Sequence, residues 1–284
     1  MRELKDKVVA LTGAGSGIGR GLAKQLAAAG CRLALADIDA AGLDETIAGL
    51  PTGTVTHRTQ LDVADRDAIY AWAEAVAAHF GVVHVIINNA GVALAATVEG
   101  AADADLHWLM DINFWGVVHG TRAFLPHLRA AGEGHVVNIS SVFGLVGIPT
   151  QSAYCASKFA VRGFTESLRI ELELEGAPIK ATVVHPGGIK TAIARRARSV
   201  EDGVANLMGM GAADSQRDFE RFFITTPDAA AQTILKGIRR DARRVLIGPD
   251  AWGILLATRI FPTAYQRILE GRLRRDRARL RGAG

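Results

Sequence analysis

The sequence has little cysteine and no apolar run long enough to cross a membrane. Cys31 and Cys155 are its only cysteines, too few for a disulfide framework or a zinc cluster, so no metal site is predicted. The longest late apolar run, 251–261, contains Arg259 and is shorter than the ~20 residues that a membrane-spanning helix needs. The polar residues 1–7 do not resemble a signal peptide. We therefore expect a soluble, cytoplasmic protein.

The body of the chain also has little net charge. Seven arginines between residues 267 and 284 outweigh Glu270 and Asp276, which gives this tail a net charge of +5. Because the whole chain carries +4, residues 1–266 together carry −1. The isoelectric point of about 9.3 therefore reflects the tail, and nothing indicates a nucleic-acid partner.

The sequence contains no internal repeat and no linker rich in Pro, Gly or Ser. Its 284 residues are ample for one large α/β domain, and we assign that domain to residues 1–250. Residues 251–284 are expected to form an arginine-rich helical extension that is not a separate domain. Residues 192–226 have no clean periodicity, and we expect them to form a lid over the carboxyl ends of the strands.

A glycine-rich turn follows the first predicted strand and opens the first predicted helix. Residues 12–19 read TGAGSGIG, with glycines at positions 13, 17 and 19. Glycine lets the backbone approach a pyrophosphate closely, and a helix N-terminus offers unpaired N–H groups and a positive dipole end. The turn therefore predicts a dinucleotide phosphate site at Gly13, Gly17 and Gly19.

Asp37 ends the second predicted strand, 18 residues after Gly19. A carboxylate at this point accepts hydrogen bonds from an adenosine ribose and repels a 2′-phosphate. No Arg or Lys occupies Ser16, Ile38 or Asp39, so NAD is favoured over NADP. The alternative is that Asp37 serves only as a helix N-cap or a turn residue.

A hydroxyl, a phenol and an ammonium lie at fixed separations in the second half of the chain. Ser141 follows a predicted strand, Tyr154 comes 13 residues later, and Lys158 lies one helical turn beyond it. A neighbouring ammonium lowers the pKa of a tyrosine from its usual value of about 10, which suits proton transfer near neutral pH. A lone Y-x-x-x-K also occurs by chance, so its meaning depends on the glycine turn.

Three further segments place polar residues or glycines near predicted strand ends or inside a helix. Residues 89–91 follow the fourth strand, where they either approach a ligand or only join strands. Asn113 lies in a mostly apolar predicted helix, 103–121, and there an asparagine needs a buried partner or marks a bend. Thr191 follows the turn 186–188 at a position from which its hydroxyl can reach a cofactor amide.

These segments together resemble the short-chain dehydrogenase/reductase family over roughly residues 5–248. The resemblance implies a Rossmann-like, doubly wound α/β fold with a seven-stranded parallel sheet flanked by helices. The matching segments are TGAGSGIG at 12–19, Asp62-Val63, NNAG at 88–91, Asn113, Ser141, YCASK at 154–158 and PGGIKT at 186–191.

The resemblance also implies a role for each matching residue. Tyr154 exchanges a proton with the substrate oxygen, Lys158 lowers the Tyr154 pKa and binds the nicotinamide ribose, and Ser141 hydrogen-bonds the substrate oxygen. Asn113 holds a water that links Lys158 to solvent. The implied cofactor-binding residues are Gly13, Ser16, Gly17, Ile18, Gly19, Asp37, Asp62, Val63, Asn89, Ala90, Gly91, Tyr154, Lys158, Pro186, Gly187, Ile189 and Thr191.

We expect an NAD(H)-dependent oxidoreductase that interconverts a secondary alcohol and a ketone. The apolar loop 142–148 and Leu94 suggest a hydrophobic substrate. One alternative is an NADPH-dependent carbonyl or acyl-thioester reductase, which would place an arginine near Asp37. A non-catalytic NAD-binding sensor would have lost Tyr154 or Lys158, and the extended sugar epimerases with the same motif are usually longer chains.

The resemblance further implies a homodimer or homotetramer built on the helices that contain Asn113 and Tyr154. The arginine-rich tail extends past the core that the family shares. It has three interpretations: a solvated charged helix, an oligomer contact, or attachment to an anionic membrane surface, since apolar residues and arginines are interleaved there.

Overall fold

The computed structural model describes residues 1–193, 195–208 and 223–282. Seven strands form one parallel sheet in the order β3-β2-β1-β4-β6-β7-β9, which confirms the predicted seven-stranded parallel sheet. Two short parallel strands, β5 and β8, pair outside it. The strands are β1 (Val8–Thr12), β2 (Arg32–Asp37), β3 (Thr56–Gln60), β4 (Val85–Asn88), β5 (Leu94–Ala95), β6 (Gly134–Ile139), β7 (Ile179–Pro186), β8 (Arg198–Ser199) and β9 (Arg244–Ile247).

Helices cover both faces of the large sheet and continue beyond its last strand. Most predicted helices and strands lie within a few residues of their observed positions. The helices are α1 (Gly17–Ala28), α2 (Ala40–Ala48), α3 (Arg66–Phe80), α4 (Asp103–Met110), α5 (Gly116–Ala130), α6 (Ser152–Leu174), α7 (Glu201–Met208), α8 (Pro227–Arg239), α9 (Pro249–Ile260) and α10 (Ala264–Gly282).

Successive side chains of the strands enter two separate apolar layers. On β1, Val9 and Leu11 belong to the layer formed with α1 and α8, whereas Val8 and Ala10 belong to the layer formed with α3, α5 and α6. Strands buried on both faces must be apolar at every position rather than at alternate ones. This explains the near-continuous apolar runs in the sequence.

The chain changes direction across the sheet between β1 and β4. Strands β2 and β3 lie on one side of β1, and β6, β7 and β9 lie beyond β4 on the other side. In an open parallel sheet, the loops at such a switch point diverge and leave a crevice at the carboxyl ends of the strands. The glycine-rich turn after β1 and the Asn-Asn-Ala-Gly segment after β4 both open into this crevice.

The predicted single helix over 103–121 is interrupted at Asn113. A π-helical turn, Asp111–Trp115, separates α4 from α5, and α5 continues to Ala130. The Asn113 side chain is fully buried and exchanges two hydrogen bonds with the backbone of Val92. The wider turn therefore accompanies a buried asparagine that binds a neighbouring loop, as π-helical turns often do at functional sites.

The predicted lid, 192–226, is more regular than its sequence suggested. Residues 194 and 209–222 lie outside the described part of the chain. Of the remainder, β8 pairs with β5 and α7 follows it. Arg198 of β8 forms an ion pair with Asp105 at 2.7 Å, and its guanidinium carbon lies 3.7 Å from the centroid of the Trp108 ring.

The extension beyond β9 consists of α9 and α10, as the sequence predicted for a helical segment. Helix α9 begins at Pro249, directly after Gly248, whose φ of +93° requires glycine-like freedom. Across the three described stretches of the chain, no helix is long and apolar enough to cross a membrane.

Arg169 fastens α6 to the turn that precedes β9. Its side chain is 6% exposed and donates two hydrogen bonds to the Asp241 carboxylate, at 2.7 and 3.1 Å, and one to Glu173 at 2.6 Å. Burial by itself would raise the pKa of Asp241, but the hydrogen bond from Arg169 outweighs it and holds that pKa below 3.8. The charged pair therefore contributes to folding stability when Asp241 is ionised.

An Asp241→Asn variant should lower the free energy of unfolding by about 1–2 kcal/mol at neutral pH, because Arg169 stays buried and loses one of its two charged partners. Asparagine keeps the positive φ of +53° accessible at this position. Since the folded-state pKa is depressed, the contribution is complete above 3.8 and is lost as the pH falls.

Urea unfolding at neutral pH, and at the lowest pH where the parent still unfolds cooperatively, measures this effect. The gap between parent and variant should shrink in acid. Asp67→Asn, which removes an exposed ion pair with Arg66, is the control and should change stability by less than about 0.5 kcal/mol. Equal losses in both variants would contradict the role of Arg169.

Candidate active site

Helix α6 and the end of β6 bring the three predicted catalytic side chains together. Tyr154 and Lys158 lie on successive turns of α6, and Ser141 directly precedes the short 3-10 turn Val142–Gly144. The hydroxyls of Tyr154 and Ser141 are hydrogen-bonded to each other. The Lys158 side chain is 3% exposed, and its Nζ lies 5.6 Å from the centroid of the Tyr154 ring.

The predicted low pKa of Tyr154 is wrong for this structure. Burial raises the pKa of Tyr154 to about 12, and the hydrogen bond with Ser141 only partly offsets that rise. Burial also lowers the pKa of Lys158 to about 8. A weakly solvated site disfavours both charged forms at once, so the phenol is the stable form of Tyr154 at neutral pH.

Asn113 holds the loop after β4 against Lys158. Its Oδ1 accepts a hydrogen bond from the Val92 N–H at 2.8 Å, and its Nδ2 donates to the Val92 carbonyl at 2.9 Å and to Ser157 Oγ at 3.3 Å. A Cβ at Gly91 would lie 3.1 Å from Asn113 Oδ1 and 3.4 Å from Lys158 Nζ. The predicted water at Asn113 stays a prediction, whereas the loop contact is a direct one.

The glycine-rich turn has the geometry that a bound phosphate requires. Gly13 and Gly17 have positive φ values of +67° and +52°, and a Cβ at Gly19 would lie 1.9 Å from the Gly13 carbonyl oxygen. The first turn of α1 contains no acidic residue, and Ser16 at its N-cap makes no side-chain capping hydrogen bond. The donor groups and the helix dipole at this end therefore suit an anion.

Asp37 lies beside this turn with its carboxylate already oriented. Its Oδ2 accepts a hydrogen bond from the Gly15 N–H at 2.7 Å, and its Oδ1 accepts one from the Asp39 N–H at 2.9 Å. Ionised carboxylate oxygens accept more than one hydrogen bond each. The arrangement leaves capacity for ribose hydroxyls, while Asp39, rather than Asp37, serves as the N-cap of α2.

Two arginines lie close to Asp37, although the sequence places none next to it. Arg20 donates to the carbonyls of Gly15 and Gly42 and is paired with Glu45 at 2.9 Å. Arg196, in the predicted lid, has Nη2 3.8 Å from Asp39 Oδ2. A lid arginine therefore reaches the edge of the predicted ribose site.

The remaining predicted cofactor residues follow the carboxyl ends of β1, β3, β4 and β7. Asn89 Nδ2 donates to the carbonyls of Thr12 and Gly13, and the N–H groups of Asn89 and Ala90 both donate to Thr12 Oγ1. These bonds join the ends of β1 and β4. Asp62 and Val63 follow β3, and the α-helical residue Gly116 approaches the Val63 carbonyl closely.

The loop after β7 is held by a residue from the C-terminal extension. Asp250, at the start of α9, accepts a hydrogen bond from the Gly188 N–H at 2.7 Å. A Cβ at Gly187 would lie within 2.4 Å of the Asp250 carboxylate, so only glycine fits there. Further along the same loop, Thr191 packs against Gly17 at the start of α1, where a Cβ added to the glycine would lie 3.1 Å from the Thr191 methyl group.

Helix α9 also packs on the apolar loop that follows Ser141. Val142, Leu145, Leu246 and Ala251 form one buried cluster, against which Phe143, Ile254 and Leu255 pack. The Phe143 ring meets the Tyr154 ring edge-on, with 6.0 Å between centroids. Leu94, the other predicted pocket residue, is buried in a separate cluster that includes Tyr154. The catalytic tyrosine therefore has apolar neighbours on two sides.

Sequence reasoning missed Thr12, His185 and Asp250. The His185 Nδ1–H donates to the Ser141 carbonyl at 2.8 Å from a fully buried position, and burial lowers the His185 pKa to about 4. Thr12 precedes the first glycine of the motif, and Asp250 stands in a Gly-Pro-Asp segment typical of a helix start. Their partners, however, lie more than 40 residues away along the chain.

Comparison with known proteins identifies the same architecture. The family model described as short chain dehydrogenase matches residues 7–202. A protein named putative oxidoreductase SadH, from Mycobacterium tuberculosis, is 46% identical over 275 residues, covering 95% of this chain and 96% of its own.

Two solved structures share the fold over most of their length. A short-chain dehydrogenase/reductase from Burkholderia phymatum, in complex with NAD, has a TM-score of 0.84 at 29% identity, covering 91% of this chain and 95% of its own. A short-chain dehydrogenase from Streptomyces avermitilis has a TM-score of 0.79 at 29% identity, covering 94% and 99%.

An Asp250→Ala variant should bind NADH about tenfold more weakly, because the Gly188 N–H loses a charged acceptor and the loop before Thr191 loosens. Titration of the full chain, following cofactor fluorescence, measures the change. Asp250→Asn keeps an acceptor oxygen and should recover most of the affinity. Glu74→Ala, at an exposed position, is the control; an effect of similar size there, or none for Asp250→Ala, would contradict this role.

Proposed function

Since the chain belongs to the short-chain dehydrogenase/reductase family, we propose that it interconverts a secondary alcohol and a ketone with NAD(H). Membership of this family makes the protein an oxidoreductase that binds a nicotinamide cofactor and acts on small molecules. The observation that carries the proposal is the hydrogen-bonded pair of Tyr154 and Ser141 beside the buried Lys158 ammonium. This trio lies at the carboxyl edge of the sheet, between the cofactor turn and an apolar wall.

Tyr154 and Ser141 act on the substrate oxygen. When bound, the cofactor supplies or accepts the hydride. Tyr154 donates a proton to the oxygen during ketone reduction and accepts it during alcohol oxidation. Ser141 donates a hydrogen bond to the same oxygen and stabilises the charge that develops there. His185 orients Ser141 through the Ser141 carbonyl.

The raised pKa of Tyr154 favours its role as a proton donor. At neutral pH the phenol keeps its proton, so the site is prepared for ketone reduction. Alcohol oxidation needs the phenolate, and the Lys158 ammonium is the positive charge that the chain places nearby to stabilise it. Lys158 remains mostly protonated below its pKa of about 8.

NAD is the cofactor that the ribose site supports. The carboxylate of Asp37 is fixed by Gly15 and Asp39, and a 2′-phosphate placed there would meet its negative charge. The competing proposal is an NADPH-dependent carbonyl or acyl-thioester reductase, and Arg196 is the observation in its favour. Because Arg20 is already engaged by Glu45 and two carbonyls, Arg196 alone would have to compensate the repulsion.

Hydrophobic substrates fit the apolar surroundings of Tyr154 best. Phe143, Leu145 and Leu94 supply side chains without charge around the reacting group. Burying a charged substrate group against such a surface is unfavourable unless a partner neutralises it. A non-catalytic NAD-binding sensor has less support, because Ser141, Tyr154 and Lys158 are all present and assembled; a sugar epimerase remains a minor alternative.

We further propose that the protein is a homodimer or homotetramer assembled through α5 and α6. The outer face of α6 exposes Phe159, Ile170 and Leu174, and Trp115 is exposed at the start of α5. Exposed apolar side chains on one face indicate an interaction surface. In this proposal residues 1–250 carry the catalysis, residues 251–284 are an extension packed on them, and the location is cytoplasmic.

A Tyr154→Phe variant should lose turnover by about 10²- to 10⁴-fold, since the general acid is removed while the ring stays in place. Its affinity for NADH should stay within about twofold, because the phenyl ring keeps the packing. Turnover is measured with a panel of hydrophobic secondary alcohols and ketones. Tyr70→Phe, far from the site, is the matched control, and near-normal turnover in Tyr154→Phe would overturn the proton-transfer assignment.

An Asp37→Ser variant should shift the ratio of NADPH to NADH affinity toward NADPH by about tenfold or more, because a like charge is removed from the 2′-phosphate position. Parallel fluorescence titrations with the two cofactors measure the ratio. In the parent, Arg196→Gln should leave NADH binding unchanged. A parent that prefers NADPH and loses that preference in Arg196→Gln would establish the competing proposal instead.

A further inference from the structure

Helix α9 is apolar on both of its faces. Its inner face packs Ala251, Ile254 and Leu255 on the loop after Ser141. Its outer face presents Trp252, Leu256 and Ile260, which are 62%, 60% and 57% exposed. These three recur every four residues and so form one stripe along the helix. A helix that is hydrophobic all round is normally covered on both sides.

The exposed stripe continues into the next helix. Phe261, in the turn after α9, and Ile268, in α10, are 55% and 68% exposed. We call Trp252, Leu256, Ile260, Phe261 and Ile268 the C-terminal patch. A contiguous apolar surface that includes tryptophan and phenylalanine marks an interaction site rather than ordinary exposed residues.

Arginines adjoin this patch on α10. Arg267, Arg272, Arg274 and Arg275 are exposed, whereas Tyr265, Leu269 and Leu273 on the opposite side of α10 are partly buried. Arg274 is paired with Glu270 at 2.6 Å. Overall, residues 267–284 carry a net charge of +5. The surface of the extension therefore combines an apolar stripe with a strongly cationic helix.

We propose that the C-terminal patch and the α10 arginines bind the surface of an anionic lipid bilayer. Interfacial helices use aromatic and aliphatic side chains to enter the headgroup region and basic side chains to bind anionic lipids. The attachment is peripheral, because no helix within the described ranges is able to span a bilayer. A second copy of the chain fits this surface less well, since a self-complementary contact would bring two arginine-rich helices together.

This attachment would place the loop after Ser141 close to the bilayer. The inner face of α9 contacts Val142 and Leu145, and Tyr265 of α10 accepts a hydrogen bond from the Gly147 N–H at 3.3 Å. Lipophilic molecules dissolved in the bilayer would then reach the apolar neighbours of Tyr154. The proposal itself does not depend on the identity of the substrate.

Co-sedimentation of the full chain with vesicles tests the proposal. One set of vesicles is phosphatidylcholine alone, and the other contains about one-third phosphatidylglycerol. We expect the protein to pellet with the anionic vesicles at low salt, to stay in solution with phosphatidylcholine, and to be released as salt rises. Failure to pellet with anionic vesicles at low salt would overturn the proposal.

Two sets of variants separate the apolar and the cationic contributions. The double variant Leu256→Ser with Ile260→Ser should lower the fraction bound by at least about tenfold, because the apolar anchor is lost. The variants Arg267→Gln, Arg272→Gln and Arg275→Gln should each lower the partition coefficient by roughly fivefold. Equal binding by parent and all variants would also overturn the proposal.

Matched controls keep the result specific to this surface. Val55→Ser combined with Arg240→Gln removes one exposed apolar and one exposed basic side chain elsewhere, and it should leave vesicle binding unchanged. NADH affinity should be unchanged in every variant, which shows that the fold is intact. Sedimentation velocity without lipid must give the same species for parent and Leu256→Ser/Ile260→Ser; a smaller species would identify the patch as a contact between copies and overturn the lipid assignment.

Discussion

The active site depends on how the buried Lys158 is satisfied. An ammonium with 3% exposure must find hydrogen-bond partners inside the protein, because burying it unpaired is costly. Its Nζ donates to the Ile139 carbonyl at 3.2 Å, and the Lys158 carbonyl accepts from Ser140 Oγ at 2.7 Å. This reciprocal pair joins the end of β6 to α6. The same join fixes the position of Ser141, the next residue, relative to Tyr154.

Other buried polar groups extend this join across the sheet. Asn88 Nδ2 donates to Asn138 Oδ1 at 2.8 Å and to Thr121 Oγ1 at 3.1 Å, and Asn138 Nδ2 donates to Thr165 Oγ1 at 3.0 Å. These bonds link β4 and β6 to α5 and α6, the helices next to Asn113 and around Tyr154. A connected polar network inside the core favours one arrangement of its members over others. The catalytic groups therefore rest on a rigid base, while loops supply the cofactor contacts.

Much of this site could be predicted from the sequence because its signals are local. The glycine turn, Asp37 at a strand end and the four-residue spacing of Tyr154 and Lys158 each follow from short segments. The family assignment and the seven-stranded sheet are confirmed, whereas the individual residue roles stay predictions. The pKa of Tyr154 was not predictable, because it depends on burial by residues distant in the chain. Asp250 and Arg196 were missed for the same reason: each acts on a loop that its own segment does not identify.

The C-terminal extension has the largest consequence that the sequence did not reveal. Asp250 contacts the cofactor loop, Ile254 and Leu255 pack on the loop after Ser141, and Tyr265 reaches Gly147. At its far end α10 places Arg277 beside an open cleft of about 520 Å³, which is also lined by Thr97, Val98, Glu99, Gly203 and Leu207. One pair of helices thus contacts the cofactor loop, the substrate loop and the β5–β8 side of the site. Any partner that binds the outer face of α9 and α10 acts on surfaces that are one helix thickness from the reacting groups, so binding and catalysis share the same structural support.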